Sequence, residues 1–431
     1  MAHEITSFGS TSRRPGFRRA IVDSPRLANF VKAEQVCTAT ERFRCSSKSP
    51  SVAIVHDYLT QRGGAERVFL LLAETFPEAS LYTSLYHPEG TYPEFADLDI
   101  KTALLNRIRL LRQQHRLAFP VLAPSFSALR VHADVVFCSS SGWAHGTRTG
   151  GRKVVYCYAP ARWLYNGAQY LGQRPHANPS LKGDSFGGNA DLLRRAARNA
   201  AIRLLGPSLR RWDQQAAKSA DRYLTSSTVM ADAIRSTYGL EAEVVPPPPA
   251  LTPSGPEEEV LGLEPGFFLC IARLLPYKNV QVVAKAVGLV PGARLVIVGV
   301  GPSRSDIESV AGPNVRFLGQ VGDATLRWLY RNSRALVSAS FEDYGLTPLE
   351  AACFGRPSAV LRSGGFLDTV IGGETGTFFD RPEVDDVALA MKTVTERTWN
   401  EGELRNHANK FSEASFKRRI RQVMAEEANR F

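Results

Sequence analysis

Short apolar, β-branched runs recur along the chain and alternate with stretches of helical periodicity. In the first half they fall at 52–55, 79–83, 134–139, 153–158 and 223–226; in the second, at 267–272, 294–298, 315–318, 335–338, 358–361 and 376–379. Most positions in a run are apolar, with little alternation, which is the pattern of a strand covered on both faces. Such strands interleaved with helices predict an α/β protein with parallel sheets, and two series predict two doubly wound domains. Between the series lies Val245-Pro246-Pro247-Pro248-Pro249-Ala250. Prolines there supply no amide donors and form a stiff, extended spacer. The predicted layout is an N-terminal domain over 51–246, a linker over 247–262, a C-terminal domain over 263–410 and a closing segment over 411–431. The closing helix, near 414–429, is expected to return to the first domain. Residues 1–50, rich in Arg and Ser and without periodicity, predict a disordered extension.

Length and composition agree with this layout. A chain of 431 residues can bury two cores of ordinary size. Cys138, Cys157 and Cys270 sit inside apolar runs, and no cysteine pair has zinc-finger spacing, so reduced core thiols of a cytoplasmic protein are expected. No apolar stretch approaches the ~20 residues of a membrane-spanning helix. The excess of 53 Lys and Arg over 42 Asp and Glu, a net charge of +11, favours an anionic partner without choosing one.

Ligands of open α/β sheets bind beyond the carboxyl ends of the strands, so the chemistry is sought there. After the first run comes Asp57-Tyr58-Leu59-Thr60-Gln61-Arg62-Gly63-Gly64-Ala65-Glu66-Arg67. The Gly63-Gly64 pair before a helix is either a tight turn or a loop whose amides approach a phosphate. After the run at 267–272, Arg273 and Lys278 lie five residues apart. They are either solvated cations or an Arg fork and a Lys point charge suited to a diphosphate without metal. The run at 335–338 leads into Phe341-Glu342-Asp343-Tyr344-Gly345-Leu346-Thr347-Pro348-Leu349-Glu350. Thr347 is expected as N-cap, Pro348 at the first helical position, and Glu350 as the partner of a capping box. The same helix start offers amides to a phosphate, with Glu342 before it and Glu350 within it. Asp97-Leu98-Asp99 nominally matches a metal-binding DxD but follows no apolar strand, and no metal or cofactor is expected.

Taken together, Glu342-x7-Glu350, Arg273-x4-Lys278 and the Gly63-Gly64 loop resemble the family 4 retaining glycosyltransferases, over about residues 50–400. The segments 56–67, 156–163 and 341–348 look most like bacterial mannosyltransferases of surface-polysaccharide assembly. The resemblance implies a GT-B fold, two Rossmann-like domains facing a cleft, and a nucleotide-sugar donor, GDP-mannose in most such relatives. It implies that Arg273 and Lys278 clamp the donor diphosphate, Glu350 holds the ribose, Glu342 contacts the transferred sugar, and Gly345, Leu346 and Thr347 offer amides. Gly63 and Gly64 would close from the other domain, and Gly299 and Leu318 would line the nucleobase. Tyr158, Arg162 and Trp163 are expected to meet a lipid-linked or oligosaccharide acceptor. Relatives often carry a histidine where this chain has Tyr158; His145 is the candidate to replace it, or else a core histidine.

Residues 101–130 hold Lys101, Arg107, Arg109, Arg112, Arg116 and Arg130 without an acid, and Leu104, Leu105, Ile108 and Leu111 recur at helical spacing. This predicts either a basic amphipathic helix on an anionic membrane, at the inner face of the membrane, or an ordinary surface helix. A second basic stretch covers 194–211. Aromatic residues are not interleaved with these cations as single-strand binding needs, so no nucleic-acid partner is expected. A UDP-sugar or other GDP-sugar donor, a nucleotide-sugar epimerase and a non-enzymatic membrane binder stay open as alternatives.

Overall fold

The computed structural model describes residues 50–165 and 205–431. Every apolar run forms a strand, with ends moved by no more than two residues. In the first half these are β1 (Val52–His56), β2 (Ser80–Thr83), β5 (Val135–Ser140), β7 (Arg152–Cys157) and β8 (Arg222–Thr225). In the second they are β10 (Phe267–Ile271), β11 (Leu295–Val298), β12 (Val315–Gly319), β13 (Ser333–Ser338), β14 (Ser358–Leu361) and β15 (Gly376–Phe379). Two further strands, β3 (Ile100–Thr102) and β9 (Ala242–Val244), edge the first sheet, and β4 (Arg130–Val131) pairs with β6 (Arg148–Thr149) apart from it. These are short and partly polar, so no apolar run announces them.

The sheets run β3-β2-β1-β5-β7-β8-β9 and β12-β11-β10-β13-β14-β15, with every pair parallel. Consecutive residues of the central strands enter opposite cores. Phe268 and Cys270 pack on one face of the second sheet, Phe267 and Leu269 on the other. Ala53 and Val55 likewise lie opposite Ile54 in the first. This two-sided burial is why these strands read as continuous apolar runs. In each sheet the chain winds one way from its first strand and then returns to that strand's other side, which opens a crevice between β1 and β5 and another between β10 and β13.

The prolines after β9 form no regular structure, and the segment beyond them lies on the helix Asp323–Asn332: the Glu258 amide donates to the Ala324 carbonyl at 3.1 Å, and Arg331 pairs with Glu257 at 2.5 Å. The C-terminal helix Glu413–Ala428 covers one face of the first sheet, burying Phe416, Ile420, Val423 and Met424 beside Ile54, Phe137 and Tyr156. Glu427, fully buried, is paired with Arg152 at 2.7 Å, and Arg222 reaches Glu426 at 2.6 Å.

Residues 101–130 do not form the single amphipathic helix expected of them. The segment breaks into short turns, with helices at Arg109–Gln113 and Phe119–Ala128. Pro120 and Pro124 lack the amides that a continuous helix needs. Leu105 and Leu111 turn into the core of the first half, while Leu104, Ile108, Leu110 and Leu117 stay exposed beside the arginines. No described helix is long and apolar enough to cross a membrane.

Phe416 is 1% exposed. Phe416→Ala should cost about 3–5 kcal/mol, read as a clear fall in thermal midpoint, whereas Leu389→Ala, at a position 65% exposed, should stay within about 0.5 kcal/mol of the parent.

Candidate active site

The carboxyl ends of β11, β10, β13 and β14 lie side by side, and backbone contact fixes the loops that leave them. Leu274 donates its amide to the Val300 carbonyl and accepts at its own carbonyl from Ser303, both at 3.0 Å. A Cβ at Gly299, whose φ is +134°, would stand 1.9 Å from the Ala272 carbonyl oxygen, so only glycine allows this approach. The loop after β10 then makes one short turn, Pro276–Lys278, and is stopped by Asn279 in the left-handed region at φ 52°. Asparagine tolerates that conformation, and its Nδ2 donates to the Ala339 carbonyl at 2.8 Å, stitching the loop to the end of β13.

This geometry brings Lys278 and Glu342 together across the crevice. Lys278 Nζ lies 2.5 and 2.6 Å from the two Glu342 carboxylate oxygens, with side chains 11% and 25% exposed. Arg273, expected beside them, leaves β10 on the same edge and is exposed, and its side chain has no hydrogen bond or ion pair among the described residues. The loop bearing Glu342 rests on Gly364 and Gly365, which the sequence reading missed. The Gly365 amide donates to the Glu342 carbonyl at 2.9 Å, and a Cβ on Gly364, at φ +61°, would stand 2.1 Å from that oxygen.

The capping box expected at Thr347 and Glu350 is not formed. The helix runs Leu346–Cys353, with Gly345 as N-cap. Gly345 presses against Thr369 and Phe366, where a Cβ would meet the Thr369 hydroxyl at 2.3 Å. The chain therefore enters the helix two residues early, and Gly345 has no side chain to occupy the opening amides of Leu346 and Thr347. Glu350 is thereby released from capping. It accepts a 2.6 Å hydrogen bond from the buried Tyr330 hydroxyl and is attended by the amides of Ala250 and Leu251. Burial raises its carboxyl above the ordinary range.

Several bonds tie the Glu342 loop to the first half. Asp343 pairs with Arg162. Ser227, which caps the helix Thr228–Tyr238, donates to the Asp343 carbonyl at 2.5 Å, and the Tyr344 hydroxyl donates to the Pro247 carbonyl at 2.8 Å. Beside them, Thr228 gives its amide and hydroxyl to Asp368 at 2.7 and 2.8 Å. Arg162, expected to meet an acceptor, is thus engaged with Asp343, because its short helix, Arg162–Tyr165, faces that loop. The Trp163 side chain and most of the basic stretch at 194–211 lie outside the described residues. Gly299 sits on this loop edge, and Leu318 in β12 packs partly into the core of the second half.

At the crevice of the first sheet, Asp57 accepts from the amides of Ser141 and Ala144, both at 2.6 Å, and burial pushes its carboxyl up to about 6. The register aligns His56 with Ser139. His56 Nδ1 is 2.9 Å from Ser139 Oγ, which is 2.9 Å from the Tyr158 hydroxyl, which donates to the Ala65 carbonyl at 3.1 Å. A carbonyl only accepts and each hydroxyl has one hydrogen. The chain therefore runs one way, and His56 carries its proton on Nδ1. Burial lowers His56 to about 3, which keeps it neutral. Tyr158 is consequently a strap on the helix Gly64–Thr75 rather than an open acceptor contact. His145 does not replace it. It is buried 3.0 Å from both Ser140 Oγ and an Asp213 carboxylate oxygen, against Trp212, because its turn points into the core.

Two parallel, doubly wound halves with crevices at their carboxyl edges define a GT-B architecture of the glycosyltransferase kind. The apo form of the lipopolysaccharide outer core galactosyltransferase WaaB shares it at a TM-score of 0.58 and 16% identity, over 88% of this chain and 99% of that one. Anabaena HepE in complex with UDP-glucose does so at 0.60 and 14%, over 87% and 99%. Residues 256–418 match the family described as Glycosyl transferases group 1. Among curated relatives, a Dictyostelium discoideum α-1,3/1,6-mannosyltransferase, ALG2, is 37% identical over 81 residues, 19% of each chain. A D-inositol 3-phosphate glycosyltransferase of Rhodococcus erythropolis is 29% identical over 46% of this chain. The chain spans 19% and 52% of these two relatives' lengths.

Gly364→Ala forces a side chain into the left-handed region against the Glu342 carbonyl. It should destabilise the protein by about 1–3 kcal/mol, read as a fall in thermal midpoint.

Proposed function

We propose that this chain is a retaining glycosyltransferase that moves a hexose, mannose from GDP-mannose, to a hydroxyl of a lipid-linked or polysaccharide acceptor. The observation that carries the reading is the Lys278–Glu342 pair at the crevice between β10 and β13, beside the uncapped helix start at Leu346. A diphosphate bound there meets Lys278, the Arg273 guanidinium and the opening amides. All of these favour the negative charge that grows on the leaving phosphate. Glu342, parted from Lys278 by the incoming phosphate, is left to accept hydrogen bonds from sugar hydroxyls, and Glu350 from ribose. The Gly63–Gly64 loop closes from the first half and excludes water, which suppresses hydrolysis of the donor. Retention follows if a departing phosphate oxygen accepts the acceptor proton on the face it leaves. The mannosyl assignment rests on the sequence resemblance and on the relative named for mannosyl transfer.

The exposed Leu104, Ile108, Leu110 and Leu117, set among Arg107, Arg109, Arg112 and Arg116, suit an anionic bilayer that presents a lipid-linked acceptor. Replacing those four arginines by glutamate should abolish flotation with phosphatidylglycerol vesicles and leave nucleotide binding unchanged; undiminished flotation contradicts the membrane assignment.

The donor is tested with a panel of GDP- and UDP-sugars, scored by thermal stabilisation and slow donor hydrolysis. A response to GDP-mannose is expected, and an exclusive response to UDP-sugars removes mannose. Lys278→Ala should lower turnover at least ~100-fold, the scale of losing one transition-state donor. Parental turnover in this variant contradicts the phosphate assignment.

A further inference from the structure

Glu66 has no role in the reading above, yet its position is unusual. It is the third residue of the helix Gly64–Thr75, whose N-cap is Gly63. Its side chain folds back toward that cap. A Cβ on Gly63 would stand 2.5 Å from Glu66 Oε2, so the carboxyl fills the space that a larger residue at 63 would take. The amides of Gly63 and Glu66 and the Gln61 side chain attend the carboxyl. Oε2 itself has no hydrogen-bond partner among the described residues, although Glu66 is 1% exposed. A buried carboxylate oxygen without a donor is costly, whereas a protonated carboxyl there is not. On the other side of the loop the face is open: nothing lies within 4 Å of the Cβ direction of Gly64.

We propose that the Gly63–Gly64 turn accepts a diphosphate only with Glu66 protonated, so that binding the ligand takes up one proton, held on Glu66 as a positioning residue. The inference rests on the reading that this turn closes over the donor diphosphate. A carboxylate and a diphosphate on the same helix start compete for the same amides and repel each other. Protonation removes the repulsion, leaves the amides to the phosphate, and keeps the carboxyl as the filler that shapes the turn. The titratable groups facing Glu66 are Asp57 from the end of β1, Tyr158 from beyond β7, and Tyr92. None of these is a cation that would hold a carboxylate ionised, and the neighbouring Arg67 bonds to Tyr92 instead. Burial already lifts Glu66 to about 7, with Asp57 adding to the rise, so an incoming anion meets a group poised to protonate at neutral pH.

The test is calorimetric titration of the full chain with GDP and with UDP between pH 6 and 8.5, in buffers of different ionisation enthalpy. The parent should take up close to one proton at pH 8 and almost none at pH 6, and its affinity should fall nearly tenfold per pH unit above neutrality. Glu66→Gln keeps the shape and carries no titrating proton. It should bind at the parent's low-pH affinity throughout and show no uptake beyond the nucleotide's own phosphate. A purely structural glutamate would give parent and variant the same proton count. That result, or zero uptake by the parent at pH 8, overturns the proposal while leaving the donor site standing. Failure of both nucleotides to bind overturns the donor site and this inference together.

Discussion

Lys278 and Glu342 meet because β10 and β13 are neighbours that run the same way. Parallel pairing sends the loops of adjacent strands to one edge, and the reversal of winding direction leaves a gap between these two. Neither side chain holds the other in place; the backbone does so, through Asn279 on the Ala339 carbonyl and Gly364 and Gly365 beneath Glu342. In a pair this far out of water, the lost hydration of both charges offsets much of their attraction, so its net contribution is small. A diphosphate, with more charge and more acceptor oxygens than one carboxylate, can displace Glu342 at small cost. Under the proposed function, the pair keeps a cation ready in the free protein and frees a carboxylate when a phosphate arrives.

The same loop couples the two halves. Asp343 and Tyr344, flanked by Glu342 and Gly345, bond to Arg162, Ser227 and the Pro247 carbonyl, while Glu350 takes amides from Ala250 and Leu251. The proline segment is therefore bonded beside both glutamates. Under the proposed function, the residues assigned to phosphate, ribose and sugar thus sit on elements that the proline segment touches. The C-terminal helix, bound to the first sheet by Phe416 and Glu427, adds a second connection between the halves.

The central strands were legible because burial on both faces leaves a continuous apolar run, and the edge strands β3 and β9 were not, because exposure removes that signal. Lys278 and Glu342 were singled out by type and place, as charged residues just after strands of a parallel sheet, but their contact with each other was not foreseen. The start of the last site helix was misplaced because Thr347-Pro348 satisfies the local rules for a cap, whereas a contact with Phe366 and Thr369, distant in sequence, decides for Gly345. Arg162 and Tyr158 were expected at an acceptor, but their partners, Asp343 and Ala65, belong to other elements and leave no trace in local pattern. For His145 the sequence left both roles open, replacement of the family's histidine or a satisfied loop or core position, and Asp213 and Trp212 enclose it in the core. Gly364 and Glu66 carried faint signals, a Gly-Gly pair after a strand and an acid at the third helical position, which only coordinates turn into constraints.

The central claim, that Lys278 leaves Glu342 for a phosphate, is tested most directly by a crystal structure of the protein with GDP or UDP bound. The account predicts a phosphate oxygen within about 3 Å of Lys278 Nζ, the opening amides at Leu346 directed at the same diphosphate, and Glu342 parted from the lysine. A nucleotide bound elsewhere, with the 2.5 and 2.6 Å contacts between Lys278 and Glu342 intact, would contradict it.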